Sequence, residues 1–159
     1  MENPDWTASG EALTTFILDV FRLNGRLLVA GDRLVSELGL TSARWQVLGA
    51  ISYAQQPESV ARLARNMGVH RQGIQRIVNE LEKEGIVEFR PNPHHKRAQL
   101  VVLTSKGQEL FAKALELQIP WANALSKGLK SKDIEAARHI ADVLATRLEN
   151  ESENTSGNK

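Results

Sequence analysis

The sequence predicts a mainly α-helical domain that carries one small β-hairpin. Apolar residues recur at steps of three and four through most of the chain, which is the period of amphipathic helices. Only two short runs, at residues 86–90 and 99–103, are rich in β-branched and aliphatic residues, and a polar segment with two prolines separates them. With 159 residues, 42% of them hydrophobic, the chain can bury one core and is too apolar to be disordered throughout.

The composition also excludes several classes of protein. The absence of cysteine excludes disulfides, thiolate metal sites and thiol redox sensing within this chain. No apolar run approaches the roughly 18–20 residues that span a bilayer, and residues 1–5 lack the basic start and apolar core of a signal peptide. We therefore expect a cytoplasmic protein without a membrane partner.

The first predicted helix covers residues 10–38 and follows a loose N-terminus at residues 1–9. One apolar face continues along this stretch and comprises Leu13, Phe16, Ile17, Val20, Phe21, Leu27, Leu28, Leu34, Val35 and Leu38. Gly25 and Gly31 each cost about 1 kcal/mol relative to Ala, so the stretch is either one long helix or two ordinary core helices. A single helix would carry more apolar surface than a small domain covers, and would pair with another chain.

Three shorter helices are predicted next. Thr41 is a suitable N-cap for the first of them, and Ser59 for the second, which ends at Gly68. The third runs from about residue 71 to residue 84, where Gly85 stops it.

The two β-branched runs then predict a hairpin with a polar, basic tip. Its tip carries His94, His95, Lys96 and Arg97. Taken alone, such a tip is a solvated turn, but a basic ribbon beside a DNA-binding helix can also contact phosphates or the minor groove, as a wing does.

Two helices close the chain. Ser105 with Gln108 fits a capping box that opens the first, and Pro120 either breaks or kinks it. The last helix follows Ser131, and the polar residues 149–159 are expected to form a disordered tail.

The charge is distributed unevenly, although the net formal charge is only +1. Residues 38–108 contain ten Lys and Arg but five acids, and residues 59–79 and 89–108 contain no acid at all. A basic middle between acidic ends is either a solvated face or the footprint of a polyanion site.

The spacing of residues 59–84 favours the second interpretation. Ala64 is followed by Gly68, Ile74 and Ile77 at +4, +10 and +13. The small residue lets two helices approach, the glycine permits a sharp turn, and the isoleucines face the preceding helix, as a helix-turn-helix requires.

The opposite face of the second helix has the side chains that recognise bases. With the apolar residues turned inward, the outer N-terminal face retains His70, Arg71, Gln72, Gln75 and Arg76. Arginine pairs bidentately with guanine and glutamine with adenine, and such residues lie at the N-terminal end of a recognition helix. The sequence therefore predicts double-stranded DNA as the partner.

Two stretches resemble the MarR family of bacterial transcription regulators. Residues 69–87 resemble that family's recognition helix and its exit, and residues 90–98 with 103–107 resemble its wing and the following helix. In element order the resemblance covers residues 10–148. It implies a winged helix-turn-helix at 41–104, flanked by dimerisation helices at 10–40 and 105–148.

The resemblance also implies a function. It implies a homodimer that represses transcription from a palindromic operator and is relieved by a small ligand, often a phenolic or other aromatic anion. By position, Arg71, Gln72, Gln75 and Arg76 become major-groove residues and Arg97 the wing-tip arginine. The chain departs from the family at His95, where an aspartate is usual, and at His70, where a small capping hydroxyl residue is common.

Two other functions are open to this sequence. The same fold can serve as a protein-interaction module, and the four histidines (His70, His94, His95 and His139) could hold a metal ion, although adjacent histidines ordinarily form a solvated turn. An enzyme is not expected, because the chain has no GxSxG elbow, P-loop or HExxH motif. No cofactor and no metal are expected.

Overall fold

The computed structural model describes residues 5–156, and the side chains of residues 5–151. It confirms the predicted fold class, since a small antiparallel sheet accompanies a mainly helical chain. In order, the elements are α1 (Ala8–Val35), a 3-10 turn (Ser36–Leu38), α2 (Ser42–Tyr53), β1 (Glu58–Ser59), α3 (Val60–Met67), α4 (Arg71–Lys83), β2 (Val87–Arg90), β3 (Leu100–Leu103), α5 (Ser105–Leu125) and α6 (Ser131–Ser156).

Helix α1 is continuous through both of its inner glycines, which decides between the two interpretations of this stretch. It begins at Ala8, two residues before the predicted start, because the Thr7 hydroxyl caps it by accepting a 3.0 Å hydrogen bond from the Gly10 amide. Residues 1–4 of the predicted loose N-terminus lie outside the described residues.

The caps predicted for the middle helices are present. The hydroxyls of Thr41 and Ser59 accept hydrogen bonds from the amides of Arg44 and Arg62, at 3.2 and 3.4 Å. Helix α3 ends at Met67 and is capped by Gly68, which adopts the left-handed conformation with φ of 65° that closes the turn before α4.

The sheet has one strand more than the hairpin that the sequence predicts. Its order is β1-β3-β2, all antiparallel, with Arg90 opposite Leu100 in the hairpin and Glu58 opposite Val101 in the added strand. A two-residue strand has no detectable period, so β1 exists only through its pairing with a distant strand.

One core lies beneath α4 and joins α2 to α5. The fully or nearly fully buried apolar residues are Val35, Leu40, Val47, Leu48, Val60, Leu63, Ala64, Ile74, Val78, Leu81, Ile86, Val87, Val101, Phe111 and Ala114. Helix α1 contributes to this core only near its C-terminal end, and α6 contributes none of these residues.

Two predictions about the C-terminal helices are wrong. The N-cap of α5 is Thr104 rather than Ser105: the Thr104 hydroxyl accepts the Gly107 amide at 3.1 Å, because β3 delivers Thr104 in the extended conformation that a cap needs. The expected disordered tail is helical from residue 149 to residue 156, since α6 propagates through glutamates that favour helix. Residues 157–159 lie outside the described residues. Pro120 lies inside α5 without ending it.

Many large apolar side chains are exposed on α1, α5 and α6. They are Ile17, Leu18, Val20, Phe21, Leu23, Leu27, Leu28 and Val29 of α1, Ile119 and Leu125 of α5, Leu129 after it, and Ile134, Ile140 and Leu148 of α6. Among the described residues, no helix is long and apolar enough to cross a membrane.

The C-terminal end of α1 is joined to the start of α2 by Ser42. The Ser42 hydroxyl donates to the Leu28 carbonyl at 2.7 Å, and the Ser42 amide donates to Asp32 Oδ1 at 2.6 Å. Gly31 makes this approach possible, because a Cβ at that position would overlap with Ser42 Oγ. These bonds therefore join the long helix to the lobe that contains α2 to α5.

We expect Gly31→Ala to lower the free energy of unfolding by about 1–3 kcal/mol, since the methyl group displaces the Ser42 hydroxyl from the Leu28 carbonyl. The matched control is Gly73→Ala, a helical glycine of α4 whose Cβ would meet nothing within 4 Å. It should raise the free energy of unfolding by about 0.4–1 kcal/mol. Urea denaturation at one fixed protein concentration measures both, and a Gly31→Ala protein as stable as Gly73→Ala would contradict the proposed clash.

Candidate nucleic-acid interface

Helix α4 presents a polar face because its apolar face is buried. Ile74, Val78 and Leu81 are at most 4% exposed and pack toward the core, which leaves the opposite side of the helix in solvent. On that side the structure places Arg71, Gln72 and Arg76 as exposed residues and Gln75 as half-buried.

Gln75 is held in place by its neighbour one turn along. Its amide nitrogen donates to Asn79 Oδ1 at 2.9 Å. This bond uses one of the two N–H groups, so the second N–H and the carbonyl oxygen are left for another partner.

His70 occupies the N-cap position of α4 with an extended backbone and makes no side-chain cap hydrogen bond. Its carbonyl accepts the Gly73 amide at 3.1 Å, which starts the helix. The first turn therefore points uncapped N–H groups and the positive end of the helix dipole outward, an arrangement that favours an anion.

A cleft of about 420 Å³ separates α4 from the hairpin loop. The structure brings four of the predicted site residues to its walls: Arg71 and Gln75 from the helix, and His95 and Arg97 from the loop. No carboxylate lines it among the described residues, so two guanidinium groups set a positive potential there.

The other predicted residues lie around this cleft. His94 lines the opposite side of the loop, near Glu58 and Arg62, in a second cleft that His95 also borders. Lys96 is exposed at the tip of the loop. Within the described part of the chain, Arg71, Arg76 and Arg97 form no ion pair, and no three His, Asp or Glu side chains are arranged to hold a metal ion.

The C-terminal end of α4 is held by hydrogen bonds from side chains that the sequence analysis does not predict to contact it. Arg44 of α2 contacts Glu84 Oε2 at 2.5 Å and the Gly39 carbonyl at 3.2 Å. Lys106 donates to the Glu84 carbonyl at 2.7 Å, and the Thr104 hydroxyl donates to the Gly85 carbonyl at 2.7 Å. We call these three residues, Arg44, Thr104 and Lys106, the α4 clamp.

The clamp was not predictable from local patterns. Arg44 meets a carboxylate 40 residues away, and neither residue lies in a motif that marks the contact. A single weak signal was present in Lys106, a cation three residues beyond a strand, which is a position from which it can reach the carbonyls of a neighbouring helix end.

A family model described as "MarR family" matches residues 38–98, from the end of the 3-10 turn to the hairpin loop. An uncharacterized protein of Mycobacterium tuberculosis, Rv2011c, is 34% identical over 128 residues, which cover 80% of this chain and 88% of that protein. BadR of Rhodopseudomonas palustris, named a transcriptional activatory protein, is 30% identical over 106 residues, 65% of this chain and 61% of BadR.

The chain belongs to the MarR family. Its winged helix is a DNA-binding fold, and the family and fold are those of transcription regulators rather than enzymes.

Three solved structures share the architecture over nearly their whole length. The transcriptional regulator PA3341 is 25% identical with a TM-score of 0.75, over 85% of this chain and 98% of that one. MOSR of M. tuberculosis, solved in complex with DNA, is 24% identical with a TM-score of 0.69 over 84% and 96% of the two chains. CouR of Rhodococcus jostii RHA1, solved bound to p-coumaroyl-CoA, is 23% identical with a TM-score of 0.72 over 83% and 91%.

We expect Arg44→Ala to lower the free energy of unfolding by about 1–3 kcal/mol, because it removes hydrogen bonds to a carboxylate and to the Gly39 carbonyl. The Arg44 side chain is only 16% exposed, whereas that of Glu84 is 48% exposed. Removal of the partner by Glu84→Ala should therefore cost less, about 0–1 kcal/mol, because water screens the pair from that side. Urea denaturation of the two variants compares them, and equal costs would show that Arg44 acts through the ion pair alone.

Proposed function

We propose that this MarR-family protein is a homodimer that recognises a palindromic operator sequence and represses transcription from it until a small ligand binds. The observation that carries the proposal is the exposed Arg71, Gln72 and Arg76 on the N-terminal half of a helix whose other face is buried. A helix about 10–12 Å across fits the major groove of B-DNA, which is about 12 Å wide.

Each of the helix residues has a distinct contact to make. Arg71 and Arg76 match the two acceptors of guanine. Gln72 and Gln75 match the donor and acceptor of adenine, and the bond from Gln75 to Asn79 leaves free the N–H and the oxygen that this pairing needs. His70, at the uncapped start of α4, lies where a backbone phosphate would meet the helix N-terminus.

The wing supplies a second set of contacts. His94, His95, Lys96 and Arg97 are all exposed in the hairpin loop and can reach phosphates or the minor groove beside the major groove that α4 enters. With His95 in place of an aspartate, the cleft between wing and helix lacks a carboxylate that would repel the sugar-phosphate backbone.

The exposed apolar side chains of α1, α5 and α6 support the homodimer. Concentrations of exposed apolar side chains mark interaction sites, and twofold symmetry is the commonest way in which identical chains bury them. Two lobes placed one helical turn of DNA apart, about 34–36 Å, would bind two half-sites with one association cost.

The proposal also includes regulation, that is, repression by the dimer and its relief by a ligand. A dimer that covers its operator can exclude the polymerase, and a ligand that binds between the lobes and the dimer helices would change the spacing of the two α4 helices. MOSR was solved with DNA, which supports DNA as the partner of this chain. CouR was solved with an aromatic thioester, p-coumaroyl-CoA, which supports a small aromatic or phenolic effector. BadR, in contrast, is named as an activatory protein.

We expect Arg76→Ala to weaken binding to the operator by about 1–3 kcal/mol and to leave the fold intact, because the variant loses a base contact but no core packing. The operator is first selected from a random duplex library with the native protein, and fluorescence anisotropy then measures affinity for it and for a scrambled duplex. The matched control is Lys83→Ala, at the far end of the same helix. It should leave the ratio of the two affinities unchanged. An Arg76→Ala protein with the native ratio would remove Arg76 from the base-reading residues.

We expect Phe21→Asp to raise the dimer dissociation constant at least about tenfold, since it places a charge in the apolar surface that the partner would cover. Phe21 is the most exposed large apolar side chain of α1, at 69%. Light scattering coupled to size-exclusion chromatography measures the mass as protein is diluted. Gln46→Asp, an exposed polar position on α2, is the control and should remain dimeric. A native protein that is monomeric at all concentrations would contradict the homodimer.

A further inference from the structure

The hairpin loop between β2 and β3, which we call the wing loop, is a nine-residue connection. Its arginine, Arg97, lies outside the part of the sheet that is held by strand pairing. Strands β2 and β3 stop pairing at Arg90 opposite Leu100, and residues 91–99 follow. Pro91 and Pro93 have no N–H group, so the backbone on this side of the loop can offer few donors to the other side.

The backbone of the loop folds as two consecutive tight turns. The His95 amide donates to the Asn92 carbonyl at 3.3 Å, and the Ala98 amide donates to the His95 carbonyl at 3.0 Å. Each bond joins residues three apart, as in a β-turn. Arg97 lies in the second turn, so its position depends on how the two turns are held against each other.

The side chain of Asn92 spans both turns. Its Nδ2 donates to the Ala98 carbonyl at 2.9 Å, and its Oδ1 accepts the His94 amide at 3.0 Å. If the register of β2 and β3 continued past Arg90 and Leu100, Asn92 would lie opposite Ala98. The side-chain amide of Asn92 thus replaces the next backbone hydrogen bond that the two strands would form, and it closes the base of the loop.

We propose that Asn92 is the positioning residue of the wing, and that it holds Arg97 on the wall of the cleft beside Arg71. The inference rests on the proposed DNA-binding function. These two bonds brace the loop from its base without a carboxylate at position 95, where this chain has His95. Asn92 does not itself line the cleft that Arg71 and Arg97 share.

One readout of this role needs no DNA. Trypsin cleaves after Lys96 and Arg97, and a looser loop is cut faster because cleavage follows the population of the open form. Loss of the two bonds in Asn92→Ala should raise the cleavage rate in the wing about fivefold or more, while the thermal midpoint of the whole protein falls by only about 2–4 °C. Asn92→Ser keeps an acceptor for the His94 amide but cannot reach Ala98, and should give an intermediate rate.

The matched control is Asn66→Ala. Asn66 also donates from its side-chain amide, to Glu58 Oε2 at 2.7 Å, but it lies on α3 outside the loop. Its removal should leave the cleavage rate in the wing unchanged. If Asn92→Ala is cut no faster than the native protein or the control, Asn92 does not brace the loop and the proposal is overturned.

The second readout is a double-mutant cycle on the selected operator. Asn92→Ala should weaken operator binding about fivefold or more, the lower end of what one base contact contributes. Combined with Arg97→Ala it should add little, because both changes remove the same wing contact, whereas combined with Arg76→Ala the two losses should multiply. Full additivity with Arg97→Ala, or native affinity for Asn92→Ala, overturns the positioning role.

The two readouts separate this inference from the proposed function. If the native protein selects no sequence and binds no duplex, the proposed function fails while the proteolysis result still decides whether Asn92 braces the loop. If the native protein binds DNA and only the cycle is additive, the function stands and the positioning role of Asn92 fails.

Discussion

Burial of one face of α4 is the constraint on which the rest of the molecular surface depends. Because successive residues of a helix are rotated by about 100°, fixing Ile74, Val78 and Leu81 against the core fixes the direction of every other side chain on α4. Gln72 and Arg76, four residues apart, are placed opposite the buried face. Arg71 and Gln75, also four apart, are placed on the flank that faces the wing, which is where they line the cleft. A rotation of α4 by one residue would bury polar groups and destroy both arrangements.

A helix held on one face can still tilt, and the clamp at its C-terminal end removes that freedom. Arg44 ties Glu84 to α2 and to the turn that follows α1, while Thr104 and Lys106 tie the same end to the start of α5. Gly107 allows the close approach, because a Cβ there would overlap with the Ile86 carbonyl. Within residues 5–151, no side-chain hydrogen bond or ion pair joins the N-terminal end of α4, with its arginines, to another element. The interface is thus anchored at the end remote from the groups that would touch DNA.

The sequence predicted those features that arise within a few residues of each other. The caps at Thr41 and Ser59, the turn at Gly68 and the sorting of polar and apolar residues on α4 all follow from local spacing, and the structure has them. Features that depend on distant partners were not predicted. They are strand β1, the contact of Arg44 with Glu84, and the choice of Thr104 over Ser105 as the N-cap of α5, which β3 decides. Asn92 is an intermediate case. An asparagine between two prolines signals a turn, but only the register of the hairpin shows that its amide reaches Ala98.

Local spacing also cannot decide whether α1 is one long helix or two shorter ones. Glycine lowers helix propensity, yet Gly31 is retained inside a continuous helix because α2 packs against it and Ser42 bonds to the Leu28 carbonyl. This contact couples the position of α2 to that of α1. In the proposed dimer, with α1, α5 and α6 at its interface, the orientation of α2 on α1 would determine how far apart the two α4 helices stand. Half-sites on DNA are separated by a fixed helical turn, so a small change at the junction of Gly31 and Ser42 would be converted into a mismatch at both grooves. Under the proposed function, a small shift at this junction would therefore be enough for the dimer to release its operator.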